Sequence, residues 1–318
     1  YKKLCQLLGG VYLEGKDLSL NPFTYVEKID AHADGIANLL AAMASPRDGL
    51  SDVQRSALTK AIEQAFAHKQ QATKIDDVVQ ALHQQFEESD NQGRKDGRIH
   101  DIAELLMRYC VNGTHGKLFN QPSQLSPDAS FVVLDLEDFK NNKDFMQCVL
   151  MSIMMMIRER AYQSDRNQPK ACFIDEAWAM LLGDNEDVKR FIEDGYRTIR
   201  KYGGLFCTIS QEVGTFFSNR VAKAVYSSTA IKMTLRQDLT NFCQEHPGHF
   251  SDSEERIISR FEAVENTGYS SMLLDMGGHK AVVRLFADPF SKILFTTEPK
   301  QFAAVENAVK QGMPLAQA

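Results

Sequence analysis

The chain has no apolar run approaching the ~20 residues that a membrane-spanning helix needs. Its greasiest stretch, Met151-Ser-Ile-Met-Met-Met-Ile157, is closed at once by Arg158, Glu159 and Arg160. Paired cysteines are missing too. Six cysteines stand at 5, 110, 148, 172, 207 and 243 without a CxxC spacing. They read as buried thiols in a reducing compartment, not as a disulfide frame or a zinc site. There is no basic excess: 36 Lys+Arg against 42 Asp+Glu leave a formal charge of −6. That balance argues against a broad nucleic-acid-binding face and leaves room only for a local basic surface. No serine or cysteine stands in a nucleophile-elbow context, and no internal repeat is visible. No secretory signal opens the chain, and it starts on Tyr1-Lys-Lys without a methionine, so a piece of a longer protein is expected.

A phosphate-cradling loop is also lacking. Gly10-Val-Tyr-Leu-Glu-Gly15-Lys16-Asp17 matches GxxxxGK by spacing alone. Val11, Tyr12 and Leu13 would crowd a loop whose backbone must wrap phosphates, and Asp17 stands where Ser or Thr should face Mg²⁺. Gly116-Lys117-Leu118 has neither the upstream glycine nor the hydroxyl.

What is present falls into two compositional regions. At 318 residues the chain is long enough for two domains, or for one with an insertion. Residues 1–28 hold a short regular piece and the turn signal Asn21-Pro22. From 29 to 112 the pattern is helical throughout. Ile36, Leu39, Leu40 and Met43 share one face with Ile29, and Ser51-x-x-Gln54 forms a capping-box pattern before Val53, Leu58, Ile62 and Phe66. Two more helices carry Ile75, Val78, Val79, Leu82 and Phe86, then Ile99, Ile102, Leu105, Leu106 and Tyr109. After a Gly/Asn/Pro/Ser-rich stretch at 113–128, strand and helix signals alternate: strands at 131–136, 171–175, 205–209 and 230–235, helices at 143–163 and 185–202. Such alternation predicts an α/β fold with a mostly parallel sheet flanked by helices. Further on, Ser251-x-x-Glu254 caps a helix with Ile257, Ile258, Phe261 and Val264 as its expected buried face. Tyr269–Met276, Gly277-Gly278 and Lys280–Phe286 read as a hairpin on a primed turn. A strand at Lys292–Thr296 and a helix from Pro299 close the chain.

The chemistry concentrates at Lys170-Ala-Cys-Phe-Ile-Asp-Glu-Ala-Trp178, a β-favouring apolar run ending in two carboxylates. Carboxylates past the end of a buried parallel strand stand at the sheet edge where α/β proteins bind ligands. In a Walker B arrangement Asp175 holds Mg²⁺ through its water shell, and Glu176 orients and deprotonates the water attacking a γ-phosphate. The plainer alternative is a strand with a solvated acidic end. Thr208-Ile-Ser-Gln211 ends the next strand, where the Gln211 amide could reach the γ-phosphate or that water. In the helix at 185–202, Val188, Phe191, Ile192, Tyr196 and Ile199 face inward. Arg197 and Arg200, three residues apart, share an outward face with Lys201 following. That edge could reach a neighbouring subunit's phosphates as an arginine finger; the local alternative is a Glu193–Arg197 pair and a last turn that suits cations. His246 and His249 have no third ligand nearby in sequence, the Met cluster at 151–156 reads as helix core, and Trp178 as packing under the sheet edge.

Taken together, Leu4-Cys-Gln-Leu-Leu-Gly-Gly10, Leu18-Ser-Leu-Asn-Pro-Phe23, Phe173-Ile-Asp-Glu-Ala-Trp178, Arg197-x-x-Arg200-Lys-Tyr-Gly-Gly204 and Thr208-Ile-Ser-Gln211 resemble the C-terminal part of TraC-like conjugative type IV secretion ATPases, within the HerA/FtsK group of hexameric motors. The resemblance implies a RecA-like ATPase domain at 1–28 and 113–318, with an all-α insertion at 29–112 and a C-terminal β-hairpin. It assigns Asp175 to Mg²⁺, Glu176 to water activation and Gln211 to the γ-phosphate, makes the Arg197–Lys201 segment an inter-subunit contact, and favours Arg200 as the finger. It implies ATP and Mg²⁺ as cofactors and a homo-hexamer at the cytoplasmic face of a bacterial inner membrane. Its partners would be membrane subunits, with transient contact to transferred DNA or pilin. The Walker A strand and loop are expected before Tyr1, so residues 1–318 alone are expected neither to bind ATP tightly nor to turn it over, and to expose apolar surface. A DNA translocase of the same group and a non-catalytic assembly scaffold are the alternatives.

Overall fold

The computed structural model describes residues 1–91, 96–124, 129–163, 167–176, 193–296 and 298–315. They divide into two compact units, one of Tyr1–Tyr12, Ser130–Val133 and Gln211–Ala318, the other of Leu13–Ala129 and Leu134–Ser210. Seven strands form three small sheets among the described residues. Strand β1 (Val11–Glu14) pairs with β2 (Val132–Asp135), β3 (Lys170–Ile174) pairs with β4 (Gly204–Thr208), and β5 (Ile231–Thr234), β6 (Ser270–Met276) and β7 (His279–Leu285) lie side by side. No described helix is long and apolar enough to cross a membrane.

Helices α2 (Ala33–Ala44), α3 (Asp52–Lys69), α4 (Ile75–Asn91) and α5 (Gly97–Leu106) follow a short α1 (Lys2–Leu7). Each of the four carries apolar residues at helical spacing, and these fill one core: Ile36, Leu39, Leu40, Leu58, Ile62, Ile75, Leu82, Ile102 and Leu106 are all fully buried. Val53 and Leu105, expected to share those faces, are 49% and 47% exposed because they sit at the flanks of their stripes. The Ser51/Gln54 capping box forms at the start of α3. Buried asparagines close the remaining loops. Asn21 accepts from Phe23 N (2.9 Å) and donates to Thr73 O (3.0 Å). Asn120, in α6 (Gly116–Asn120), accepts from Ile75 N at 2.9 Å, satisfying a donor in the first turn of α4. The long α7 (Lys143–Gln163) buries Cys148, Val149, Met151 and Met154, so the methionine cluster is packing material where it is described.

In the other unit, Val213, Leu239, Phe242, Phe250, Ile258, Phe261 and Leu273 form the core. Gly277 and Gly278 have φ of 66° and 96°, the left-handed pair that a two-residue primed turn requires, and they join β6 to β7 in register from Met276↔His279. Strand β5 pairs antiparallel with β6 and so belongs with the hairpin. The expected strand at Lys292–Thr296 is instead the end of a helix, Pro289–Leu294. Asp288 accepts from Ser291 N (3.0 Å) as its N-cap, and Pro289 occupies the first helical position, a start signal that outweighs the β-favouring side chains after it. The final helix runs Pro299–Lys310 and buries Val305. Around the Ser251 cap, Ile258 and Phe261 are buried but Ile257 is 41% exposed.

Candidate functional site

Strands β3 and β4 run parallel in register from Lys170↔Gly204 to Ile174↔Thr208. Ile174 O also accepts from Ile209 N at 2.9 Å, carrying the ladder one residue further. The strand reads as buried, in a chain expected to expose apolar surface. Phe173 is 68% and Leu205 53% exposed, while Cys172, Ile174 and Phe206 on the opposite face are half-buried. On the packed face Tyr196 stacks on Phe206 with ring centroids 4.6 Å apart, and its hydroxyl hydrogen-bonds that of Thr208. Burial there pushes the Cys172 thiol up to about 11, so it is a reduced, unreactive thiol at neutral pH.

Asp175 and Glu176 follow where the paired backbone stops. Glu176 has φ 52°, in the left-handed region that costs a non-glycine residue roughly 1–2 kcal/mol. Its N–H donates to Asp175 Oδ1 at 3.0 Å, so the Asp175 carboxylate is tied to the turn that carries Glu176.

Sequence reasoning missed the residue that meets Glu176. At the end of β2, Asp135 Oδ1 accepts from Glu137 N at 3.1 Å and starts a 3₁₀ turn, Glu137–Phe139. The next residue, Lys140, places Nζ 2.6 Å from Glu137 Oε2 and 2.9 Å from Glu176 Oε2. Hydrogen bonds donated to Glu137 first and Glu176 second push the Lys140 ammonium well above its usual range, so it stays charged. The available signal was positional: Glu137 and Lys140 stand just past the end of a second strand, three residues apart on one turn.

The basic segment lies on residues 193–198, which are α-helical, and on the 3₁₀ turn Ile199–Tyr202. Val188, Phe191, Ile192 and Trp178 lie outside the described residues. Arg197 pairs with Glu193 at 2.7 Å, and Arg200 and Lys201 are exposed. The 3₁₀ turn ends on Gly203 at φ 70°, and Gly204 is packed so closely that a Cβ would come within 2.6 Å of Ile199 Cγ1. Gln211 opens the other unit as an exposed bend, three residues beyond Thr208.

Residues 11–14 form a strand, and a Cβ on Gly10 would lie 2.7 Å from Phe131, so this segment has no loop free to wrap phosphates. The Asp175 carboxylate offers the oxygen chemistry that Mg²⁺ takes, at a site where the ion keeps several of its waters. No cluster of three or more ligating side chains occurs among the described residues. His246 and His249 pack in the Phe217/Phe242 aromatic cluster, with His249 Nε2 2.9 Å from the Tyr226 hydroxyl.

Alternating strands and helices, with a carboxylate pair leaving the end of a parallel strand, describe an α/β protein with a ligand-binding position at a strand end. The TraG P-loop domain model matches residues 1–318, and the chain belongs to that family. It is 34% identical to Protein TraC of Escherichia coli (strain K12) over 331 residues, covering 100% of the chain and 37% of TraC. To the type IV secretion system protein virB4 of Brucella abortus biovar 1 (strain 9-941) it is 24% identical, covering 89% of the chain and 34% of that protein. The chain thus spans about a third of the length of these curated relatives. Among solved structures it is similar to VirB4 of Thermoanaerobacter pseudethanolicus (TM-score 0.73, 20% identity, 92% of this chain and 80% of that one). It is also similar to the plasmid coupling protein TrwB in complex with a non-hydrolysable ATP analogue (TM-score 0.54, 10% identity, 87% and 73%). These two likenesses establish the fold.

Proposed function

We propose that this chain is the part of an ATP-hydrolysing motor subunit that carries the Walker B strand and the motifs after it. The motor powers pilus assembly and substrate transfer in a conjugative type IV secretion system. The observation that carries the reading is the Asp175–Glu176 turn just past the end of β3, parallel-paired to β4. Membership of a P-loop family and the secretion-system name of the VirB4 relatives support it.

In this reading 1–28 and 113–318 form the RecA-like ATPase domain and 29–112 an inserted helical domain. Asp175 would hold Mg²⁺ through its water shell, and the ion would supply charge neutralisation at the phosphate oxygens. Glu176 orients the attacking water and takes its proton at a carboxylate oxygen. Gln211 hydrogen-bonds the γ-phosphate or that water. Arg200, with Lys201 beside it, reaches the phosphates of a neighbouring copy in a homo-hexamer, and Arg197, paired with Glu193, holds that segment. The subunit works on the cytoplasmic side of the inner membrane, against membrane subunits of the secretion complex.

The test is genetic. Cells whose sole copy of the full-length protein carries Glu176→Gln should accumulate it and recruit it to the membrane complex, yet lose pili and DNA transfer. Transfer at the normal frequency would contradict the reading.

A further inference from the structure

Glu176 is held from two sides. Its backbone sits at φ 52°, and its carboxylate meets Lys140 at 2.9 Å, from a turn 36 positions earlier in the chain. Lys140 is fixed in turn by Glu137 at 2.6 Å, on the same 3₁₀ turn. One ammonium bridges two carboxylates from separate elements, Glu137 on its own turn and Glu176 past the end of β3, and so ties the turn after β2 to the base. We propose that Lys140 is a positioning residue for the hydrolytic reaction, one that fixes the carboxylate of Glu176 where it meets the attacking water. The inference rests on the reading of Glu176 as the base.

The charge balance decides between positioning and sequestration. A lysine paired with Glu176 alone would neutralise it and compete with the proton that it must accept. Here two carboxylates share one ammonium, so the Glu137–Lys140–Glu176 group keeps one negative charge. The base is oriented within a group that stays anionic as a whole. Glu137 therefore has a task of its own: it takes up part of the lysine's charge and aims its Nζ. The contact uses Glu176 Oε2, and a carboxylate has a second oxygen with which to accept a proton.

Orientation of a general base acts on the chemical step and not on nucleotide affinity. Steady-state ATP hydrolysis by the full-length protein therefore separates the outcomes, measured for wild type, Lys140→Met, Lys140→Arg and Glu176→Gln, with thermal midpoints as a folding control. Lys140→Met should lower kcat by on the order of ten- to a hundredfold with KM within about twofold. Lys140→Arg, which keeps the charge and the reach, should recover most of the loss. Should Lys140→Met fail to fold, Lys140→Gln carries the same comparison. If Glu176→Gln is inert while Lys140→Met runs at or above the wild-type rate, the positioning role is overturned and the base reading survives. If Glu176→Gln itself turns over at the wild-type rate, the base reading falls, and this inference with it. A loss that Lys140→Arg does not relieve also overturns the proposal.

Discussion

The guanidinium of Arg197 lies 2.7 Å from the carboxylate of Glu193, four residues earlier on the same helix, and Glu193 is almost fully buried. Arg197 is thus committed to its own subunit, whereas Arg200 is exposed on the 3₁₀ turn that follows. Arg200→Ala should therefore lower ATP turnover of the assembled protein on the order of a hundredfold or more, as loss of a charge-stabilising donor does. Arg197→Ala should act mainly on stability, by about 1–3 kcal/mol, through the loss of a partner to a buried carboxylate. Turnover and denaturation curves of the two variants check this; equal turnover losses would remove the distinction.

Gly204 sets the position of that turn. A Cβ there would meet Ile199 Cγ1 at 2.6 Å, and Ile199 is buried beneath the segment bearing Arg200 and Lys201. Gly204→Ala should destabilise by about 1–3 kcal/mol, the usual cost of overpacking. It should also lower turnover, since the turn must shift to make room. A thermal midpoint equal to wild type would show that the turn gives way freely.

The helical core should answer as a packed interior. Ile62, fully buried between helices, should cost about 2–5 kcal/mol as Ile62→Ala. Ser251→Ala, which removes a side-chain acceptor from Glu254 N at 3.3 Å and half of a capping box, should cost about 1 kcal/mol. Urea or thermal unfolding reads both, and the order of the two losses is the prediction.

His249 supplies a pH dependence. Burial first, and then Lys280, His246 and Lys232, hold its imidazole below the ordinary histidine value. The folded state then binds the proton less well than the unfolded chain, so stability is complete above about pH 6.5 and is lost as pH falls below it. His249→Gln should flatten this slope between roughly pH 7 and 5 in the thermal midpoint. An unchanged slope would place the titration elsewhere.

Much of the fold was legible because local rules agree with one another. Lys143–Gln163 has an unbroken helical pattern, Ser51/Gln54 and Ser251/Glu254 are capping boxes in sequence and in structure, and Gly277-Gly278 names its own turn. Lys292–Thr296 misled because β-favouring side chains were weighed above the Asp288-Pro289 start signal. The pairing of β5 with β6 joins segments some 40 positions apart, and no local pattern encodes that partner. At the site, Asp175 and Glu176 announced themselves as paired carboxylates after an apolar run. Lys140 did not, because its meaning lies in a contact across 36 positions of chain.

The most direct measurement is Mg²⁺-dependent ATP hydrolysis and ATP occupancy of the full-length protein, beside its Glu176→Gln variant. The account predicts that wild type turns over, and that the variant retains bound ATP without releasing phosphate. Equal turnover by both, or inert proteins that still join the membrane complex, would contradict it and leave the Asp175–Glu176 turn as scaffold.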